Sequence, residues 1–362
     1  MEKVKLNELA DIYLGVTHTP EYVFEGVPFL SVKDISGGKI CFDDCKYISK
    51  EEYDSLSEGA KPKVGDMLFC RVGTLGKPII IPEGTPLFGS FVSLGYLRNR
   101  NSDRCDLNYL RYWMYSNSFW KQVNANVKGA SQVNLNTGWL SKFDIDLPGI
   151  AEQRYRISVL DKCKSVIEKR EAELAALDDL IKARFVEMFG NGHDGFCNTK
   201  KLGEFCKFQQ GTQIPVEEQI EEQLEGYTRF LRIIDYTQAP QIPRYVSVKG
   251  REIAEDSVVI VRYGATAGFV GHGYAGILAN NLFEVVPDES ILSKDFLYLA
   301  LKYGTFEQEV HDKAFGAAMP ALSFGMMNDI GVVTPNSTAQ NGFVDFVKQV
   351  DKSKVVEGGN KK

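Results

Sequence analysis

The chain has 362 residues, of which 44% are hydrophobic and 25% charged, and its formal net charge is −6. This is the composition of a globular protein too long for one ordinary core, so two domains are expected. The acidic balance argues against a nucleic-acid partner, since strong non-specific binders are usually basic, and the lack of any run of about 18 apolar residues argues against a helical membrane span. The opening Met1-Glu2-Lys3-Val4-Lys5 has no apolar signal core, which predicts a cytoplasmic protein. Seven scattered cysteines suit a reducing compartment. Cys41 and Cys45 lack the second pair or histidine that a zinc site needs, and read as structural thiols.

Residues 1–148 form the first predicted domain. Asp66–Arg71 and Pro78–Pro82 are short apolar runs bounded by Gly and Pro, which predict buried strands. Leu107–Val123 carries aromatics at helical spacing (Tyr109, Trp113, Phe119, Trp120) and predicts one helix packed on the sheet. Gly73-Thr-Leu-Gly-Lys77 fails as a phosphate loop. Arg71 stands where the first glycine is needed, and Pro78 replaces the magnesium-binding Ser/Thr.

Residues 149–192 hold the clearest element. Ala151–Phe189 contains no Gly or Pro, and Leu160, Ile167, Leu174, Ile181 and Met188 fall on a seven-residue repeat. Ile157, Leu177 and Phe185 flank that line, which predicts a coiled-coil helix about 58 Å long. Residues 193–335 form the second domain, with a strand over Asp256–Arg262, a turn at Gly264-Ala-Thr-Ala-Gly268 and a helix over Lys294–Val310. It holds 12 Lys+Arg against 19 Asp+Glu, where residues 1–148 hold 17 against 18. Residues 336–362 are a shortened helix with Phe343, Val347 and Val350 on its apolar face.

The two halves repeat one another. Leu110, Phe119, Gly129-Ala130, Gly138, Pro148 and Gln153 recur 187 positions on as Leu297, Phe306, Gly316-Ala317, Gly325, Pro335 and Gln340. Upstream, Phe29-Leu30…Asp34 matches Phe230-Leu231…Asp235. A repeat this long is a domain duplication, not a solenoid. The expected fold is α+β: two similar mixed α/β domains separated by long coiled-coil helices, with pseudo-twofold symmetry. In this frame Lys362 corresponds to Ala175, so about half of the long seam is expected to find no cover within this chain. Another subunit is expected to cover at least part of it, the alternative being a truncated C-terminus.

No catalytic constellation is visible. The four histidines, His18, His193, His272 and His311, have no metal-ligand spacing, and the Asn-Pro-Pro-aromatic and Asp-Pro-Pro-aromatic signatures of amino-methyltransferases are missing. Leu147-Pro148…Glu152-Gln153…Ile157 opens the long helix and Glu187-Met188-Phe189-Gly190 closes it. With the duplicated domains, these motifs resemble the specificity subunit of type I restriction-modification systems, and the resemblance covers essentially the whole chain. Thr334 and Ala339 depart from the pattern at the second opening.

The resemblance implies two target-recognition domains, each reading half of a split double-stranded DNA sequence. It also implies helices that set the gap and dock methyltransferase subunits. S-adenosylmethionine, ATP and Mg2+ would be bound by those and by restriction subunits, not by this chain. Two other classes fit the residues alone: a duplicated protein–protein adaptor, and a fragment of a single-chain restriction enzyme.

Candidate DNA contacts are Lys128, Gln132, Asn134 and Asn136, whose types suit phosphate and adenine, with Lys313 as the counterpart lysine. Arg71 and Arg262 end equivalent strands before glycine turns, and Lys77 follows the first of them. For the amides, turn capping is an equal reading. Tyr47, Tyr53 and Tyr245 read as core residues. The predicted helix interface is Ile157, Leu160, Ile167, Leu174, Ile181, Met188, Phe343, Val347 and Val350.

Overall fold

A computed structural model describes residues 1–126, 134–190, 197–238, 241–314 and 321–354. The chain divides into two compact units, Met1–Glu168 and Lys169–Lys362, and the division falls inside the long helix.

In the first unit Ala10–Leu14, Leu94–Asn99, Met67–Cys70 and Gly76–Ile80 form an antiparallel sheet in that order. Every residue of Met67–Cys70 is buried, which is why its sequence is an unbroken apolar run without alternation. A second sheet has the order Tyr22–Val23, Lys46–Ile48, Val27–Leu30, Gly89–Ser90, and its last pair is parallel. Glu2–Lys5 pairs with Asp144–Leu147, tying the two ends of the domain together.

The second unit repeats this plan. Cys206–Gln210, Leu282–Pro287, Val258–Val261 and Val270–Gly271 make the antiparallel sheet. Thr228–Leu231 and Gly276–Leu278 make the parallel pair of the other sheet, flanked by Arg244–Val246 and Glu252–Ile253. Thr199–Lys201 closes on Gly331–Val333 as Glu2–Lys5 does on Asp144–Leu147. The fold is α+β, two similar mixed domains with a long helix between them, as expected from the sequence.

The single helix predicted over Leu107–Val123 is two, Leu107–Tyr115 and Asn117–Asn126. Ser116 between them is extended; its hydroxyl donates to Trp113 O (2.7 Å) and accepts from Phe119 N (3.3 Å). One serine thus ends the first helix and caps the second. The break brings Phe119 edge-on to Trp113 at 5.0 Å, inside the same core as Leu6, Met67 and Phe69. Lys294–Val310 is likewise Lys294–Tyr303 and Phe306–Ala314, and Gly304 makes the break. A Cβ there would lie 2.5 Å from Ala300 O.

The long helix runs Ile150–Phe189 without interruption. In the second unit its Leu177, Ile181, Phe185, Met188 and Phe189 pack on Phe343, Val344, Val347 and Val350 of the C-terminal helix Ser337–Lys354. The pair is antiparallel. Phe343 meets Phe185 and Phe189 at 5.4 and 5.6 Å, while Lys354 reaches back to Asp178 (2.7 Å). Arg170 donates to the terminal carbonyls of Ser353 and Lys354, acceptors that a helix end leaves without partners.

The predicted seam is therefore covered over only part of its length. Ile181, Phe343, Val347 and Val350 are buried, and Ile157, Leu174 and Met188 are half-buried. Leu160 and Ile167 stand 42% and 58% exposed, beside exposed Tyr155, Val159 and Val166. The heptad line marks an apolar stripe; whether a stripe is covered depends on what reaches it.

Candidate nucleic-acid interface

Arg71 follows the strand Met67–Cys70 directly. Its main-chain N–H donates to Ser93 O (2.9 Å), its Nε to Leu135 O (2.9 Å) and its Nη1 to Val92 O (2.9 Å). Burial pulls its pKa below the usual guanidinium range without discharging it. Arg262 repeats this placement: its N–H donates to Asn281 O (2.9 Å) and its Nε to Leu322 O (3.3 Å). Its guanidinium also lies over Tyr263 and Phe324, at 4.8 and 5.5 Å from their ring centres. In each unit the arginine main-chain oxygen accepts from the equivalent leucine, Leu135 or Leu322, at 2.9 Å. The physical reason is local. Where a strand gives way to a glycine turn its neighbours' carbonyls lose their ladder partners, and a guanidinium satisfies them.

The other sequence candidates separate. Val72 bridges Asn134, so the structure brings Arg71 and exposed Asn134 together; Tyr263 and Ala321 form the corresponding bridge. Asn136 takes the capping role, its Oδ1 accepting from Gly138 N (2.7 Å) to start the helix Thr137–Leu140. Lys77 is exposed and has φ +52° at the start of the strand Gly76–Ile80, just after the turn at Gly73; Gly73 and Gly76 also have positive φ. Lys128 and Gln132 lie outside the described residues, as does the side chain of Lys313 on the helix Phe306–Ala314. Tyr53 is buried with Phe29, Ile48 and Leu56, and half-buried Tyr47 packs against a separate cluster that includes Leu30 and Ile35. Among the described residues no His/Cys/Asp/Glu group could hold a metal, and no helix is long and apolar enough to cross a membrane.

One grouping was not foreseen. In the second unit Arg229 and Arg232 converge on Asp235, and Arg244 pairs separately with Glu221. Arg232 Nε is 3.0 Å from Asp235 Oδ2, Arg229 Nη2 is 3.7 Å from Asp235 Oδ1, and Arg244 Nη2 is 2.7 Å from Glu221 Oε1. A signal was present in the match of Phe29-Leu30…Asp34 with Phe230-Leu231…Asp235, which places Ser31 and Arg232 at one position.

The glutamines of the two helix openings are the firmest equivalence. Gln153 Oε1 accepts from Asp106 N (2.9 Å), and its Nε2 donates to Arg104 O (2.9 Å) and Pro148 O (2.8 Å). Gln340 Oε1 accepts from Ser293 N (3.0 Å), and its Nε2 donates to Ile291 O and Pro335 O, both at 2.9 Å. Every partner stands 187 positions from its counterpart, and both glutamines are buried. Each carboxamide locks the start of a helix to the loop that begins another, so the Pro…Gln spacing is an architectural bolt.

Residues 197–361 match the family described as "Type I restriction modification DNA specificity domain". The chain is similar to the specificity subunits of type I restriction-modification systems. The type I restriction enzyme MjaVIII specificity subunit of Methanocaldococcus jannaschii is 23% identical over 197 residues. That match covers 50% of this chain and 43% of the relative, so the chain spans less than half of the specificity subunit it matches.

Two solved structures share the fold. A type I system S subunit from M. genitalium superimposes with a TM-score of 0.56 at 17% identity, over 98% of this chain and 90% of that one. A chain solved in work on complex assembly and conformational transition of the type I system gives 0.53 at 18%, over 98% and 90%. The departures of the second opening from the specificity-subunit pattern have local explanations. Thr334 replaces buried Leu147 but donates from N (2.7 Å) and Oγ1 (3.2 Å) to Asn198 O. Ala339 replaces Glu152, whose carboxylate makes only an exposed pair with Arg156.

Proposed function

We propose that this chain is the DNA sequence-specificity subunit of a type I restriction-modification complex. Each unit reads one half of a split double-stranded target, and the long helices dock methyltransferase subunits, with restriction subunits joining that assembly. The chain itself is non-catalytic: S-adenosylmethionine, ATP and Mg2+ are bound by its partners, and it works in the cytoplasm.

The observation that carries this reading is the duplication at atomic detail. Two units share the order of their larger sheet, the parallel pair of the smaller one, strand-end arginine and glutamine bolt, and one unbroken helix contributes to both. A duplicated reader suits a ligand with two half-sites, and such half-sites lie about one DNA turn (~34 Å) or more apart. A stiff spacer favours one gap length where a flexible linker would accept many. The apolar stripe of Tyr155, Val159, Leu160, Val166 and Ile167 is the surface a docked subunit would cover.

The test is co-expression with a type I methyltransferase subunit from the same host, followed by mapping of methylated adenines. The expected outcome is a stable complex and a new split motif. Absence of both the complex and any new methylated adenine would refute the assignment.

A further inference from the structure

We infer that the second unit reads its half-site through a groove on its smaller sheet, with Arg244 and Arg232 as the principal contacts to the duplex. This rests on the function proposed above and names residues for it. The groove encloses about 430 Å³. Phe230 lies along it, and Gln219, Arg232, Arg244, Asn280 and Asn281 add two cations and three carboxamides. Guanidinium and carboxamide groups are the side chains that pair with guanine and adenine edges, and guanidinium also binds phosphate.

The internal repeat separates structural positions from variable ones here. Phe230 opposes Arg244 in the strand register as Phe29 opposes Lys46, so Arg244 and Lys46 are equivalent. Arg232 and Ser31 are equivalent, because Asp235 and Asp34 accept from their main-chain N–H groups at 2.9 and 2.7 Å. Asn281 and Ser93 are equivalent, each accepting at its main-chain oxygen from Arg262 or Arg71. Packing positions keep their residue: Phe29 and Phe230, Leu30 and Leu231, Asp34 and Asp235, Tyr47 and Tyr245. The groove positions do not.

In the first unit the serines bond within the fold. Ser31 Oγ donates to Asp34 (2.9 Å), and Ser93 Oγ accepts from Val32 N (3.2 Å). In the second unit Asn281 Oδ1 is buried with no partner among the described residues. A buried acceptor without a donor is costly unless something supplies one. Arg232 is held by Asp235 and Ile242 O through Nε and Nη2. Its Nη1 has no acceptor among the described residues.

A unit with 12 cations and 19 anions can accept DNA only where a carboxylate beside its cations gives way. Glu217, Glu218, Glu221, Glu222 and Glu225 cluster in one segment beside the groove, and Glu221 holds Arg244 at 2.7 Å. Glu221 is exposed and Arg244 about one-third exposed (53% and 32%), and such a pair contributes little stability. A phosphate or guanine edge can therefore take the place of Glu221.

The test uses the full chain with its methyltransferase subunits and a duplex carrying the motif that complex methylates. Arg244→Ala should weaken retention about tenfold and relax one base position in one half-site, leaving the other half-site unchanged. Arg244→Lys should restore the salt dependence but not the base preference, because ammonium lacks the planar fork. Glu221→Gln, which leaves the strand intact, should tighten retention by removing the competing carboxylate. Unchanged affinity and motif in Arg244→Ala and Glu221→Gln, beside an active wild type, would overturn the groove assignment alone. A wild-type complex that retains no duplex and methylates no split motif would overturn the proposed function with it.

Discussion

Single side chains decide more of this structure than their number suggests. Gln153 and Gln340 each satisfy three main-chain groups that hydrophobic packing cannot satisfy. Removing one leaves those groups without partners, so Gln340→Ala should cost about 2–4 kcal/mol. Urea unfolding of the variant checks this, and a loss under about 0.5 kcal/mol, typical of a surface change, would argue against the bolt. The thiols offer a second reading at this scale. Burial pushes Cys105 and Cys206 up to about 12 and Cys70 to about 11, whereas Cys41 and Cys163 are exposed. Native protein should label first at Cys41 and Cys163 with a thiol reagent. Because the unfolded thiols ionise near the usual ~8.5, stability should fall as pH rises from there toward the folded values. Labelling of Cys105 as fast as Cys163 in native protein would contradict this.

The long helix has two energetic characters along one stripe. Ile181 is fully buried among Phe185, Phe189, Phe343 and Val347, so Ile181→Ala should destabilise the second unit by about 2–5 kcal/mol. Ile167 lies on the same heptad line but stands in solvent, so Ile167→Asp should leave the thermal unfolding of the isolated chain nearly unchanged. If the stripe docks a methyltransferase subunit, the same variant should abolish co-purification of that subunit, since the charge would be buried without a partner. Retained co-purification would show that the subunit docks elsewhere. Heptad spacing in the sequence revealed the helix and its apolar line. It could not reveal the end of the covered stretch, because periodicity records which side chains share a face and not what lies against that face. The aromatic-rich segments after each sheet divide into two helices for a related reason. Ser116 and Gly304 break them through caps and close contacts that their spacing does not encode.

At the scale of the whole molecule, the net charge of −6 makes any DNA affinity depend on a few concentrated cations. Retention of duplex by the assembled complex should therefore fall log-linearly with salt, each phosphate contact adding about 0.9 to the slope. A salt-independent association would point to a protein ligand and away from DNA. The sequence by itself determined the duplication, the α+β class and the uninterrupted helix. Each of these is written in residues adjacent along the chain or at a constant offset. The tertiary structure alone decided that Arg71 and Arg262 bond main-chain carbonyls, that Asn136 caps a helix, and that Arg229 and Arg232 share Asp235. Such contacts join residues far apart in sequence, and their partners are mostly backbone groups, which carry no sequence signature.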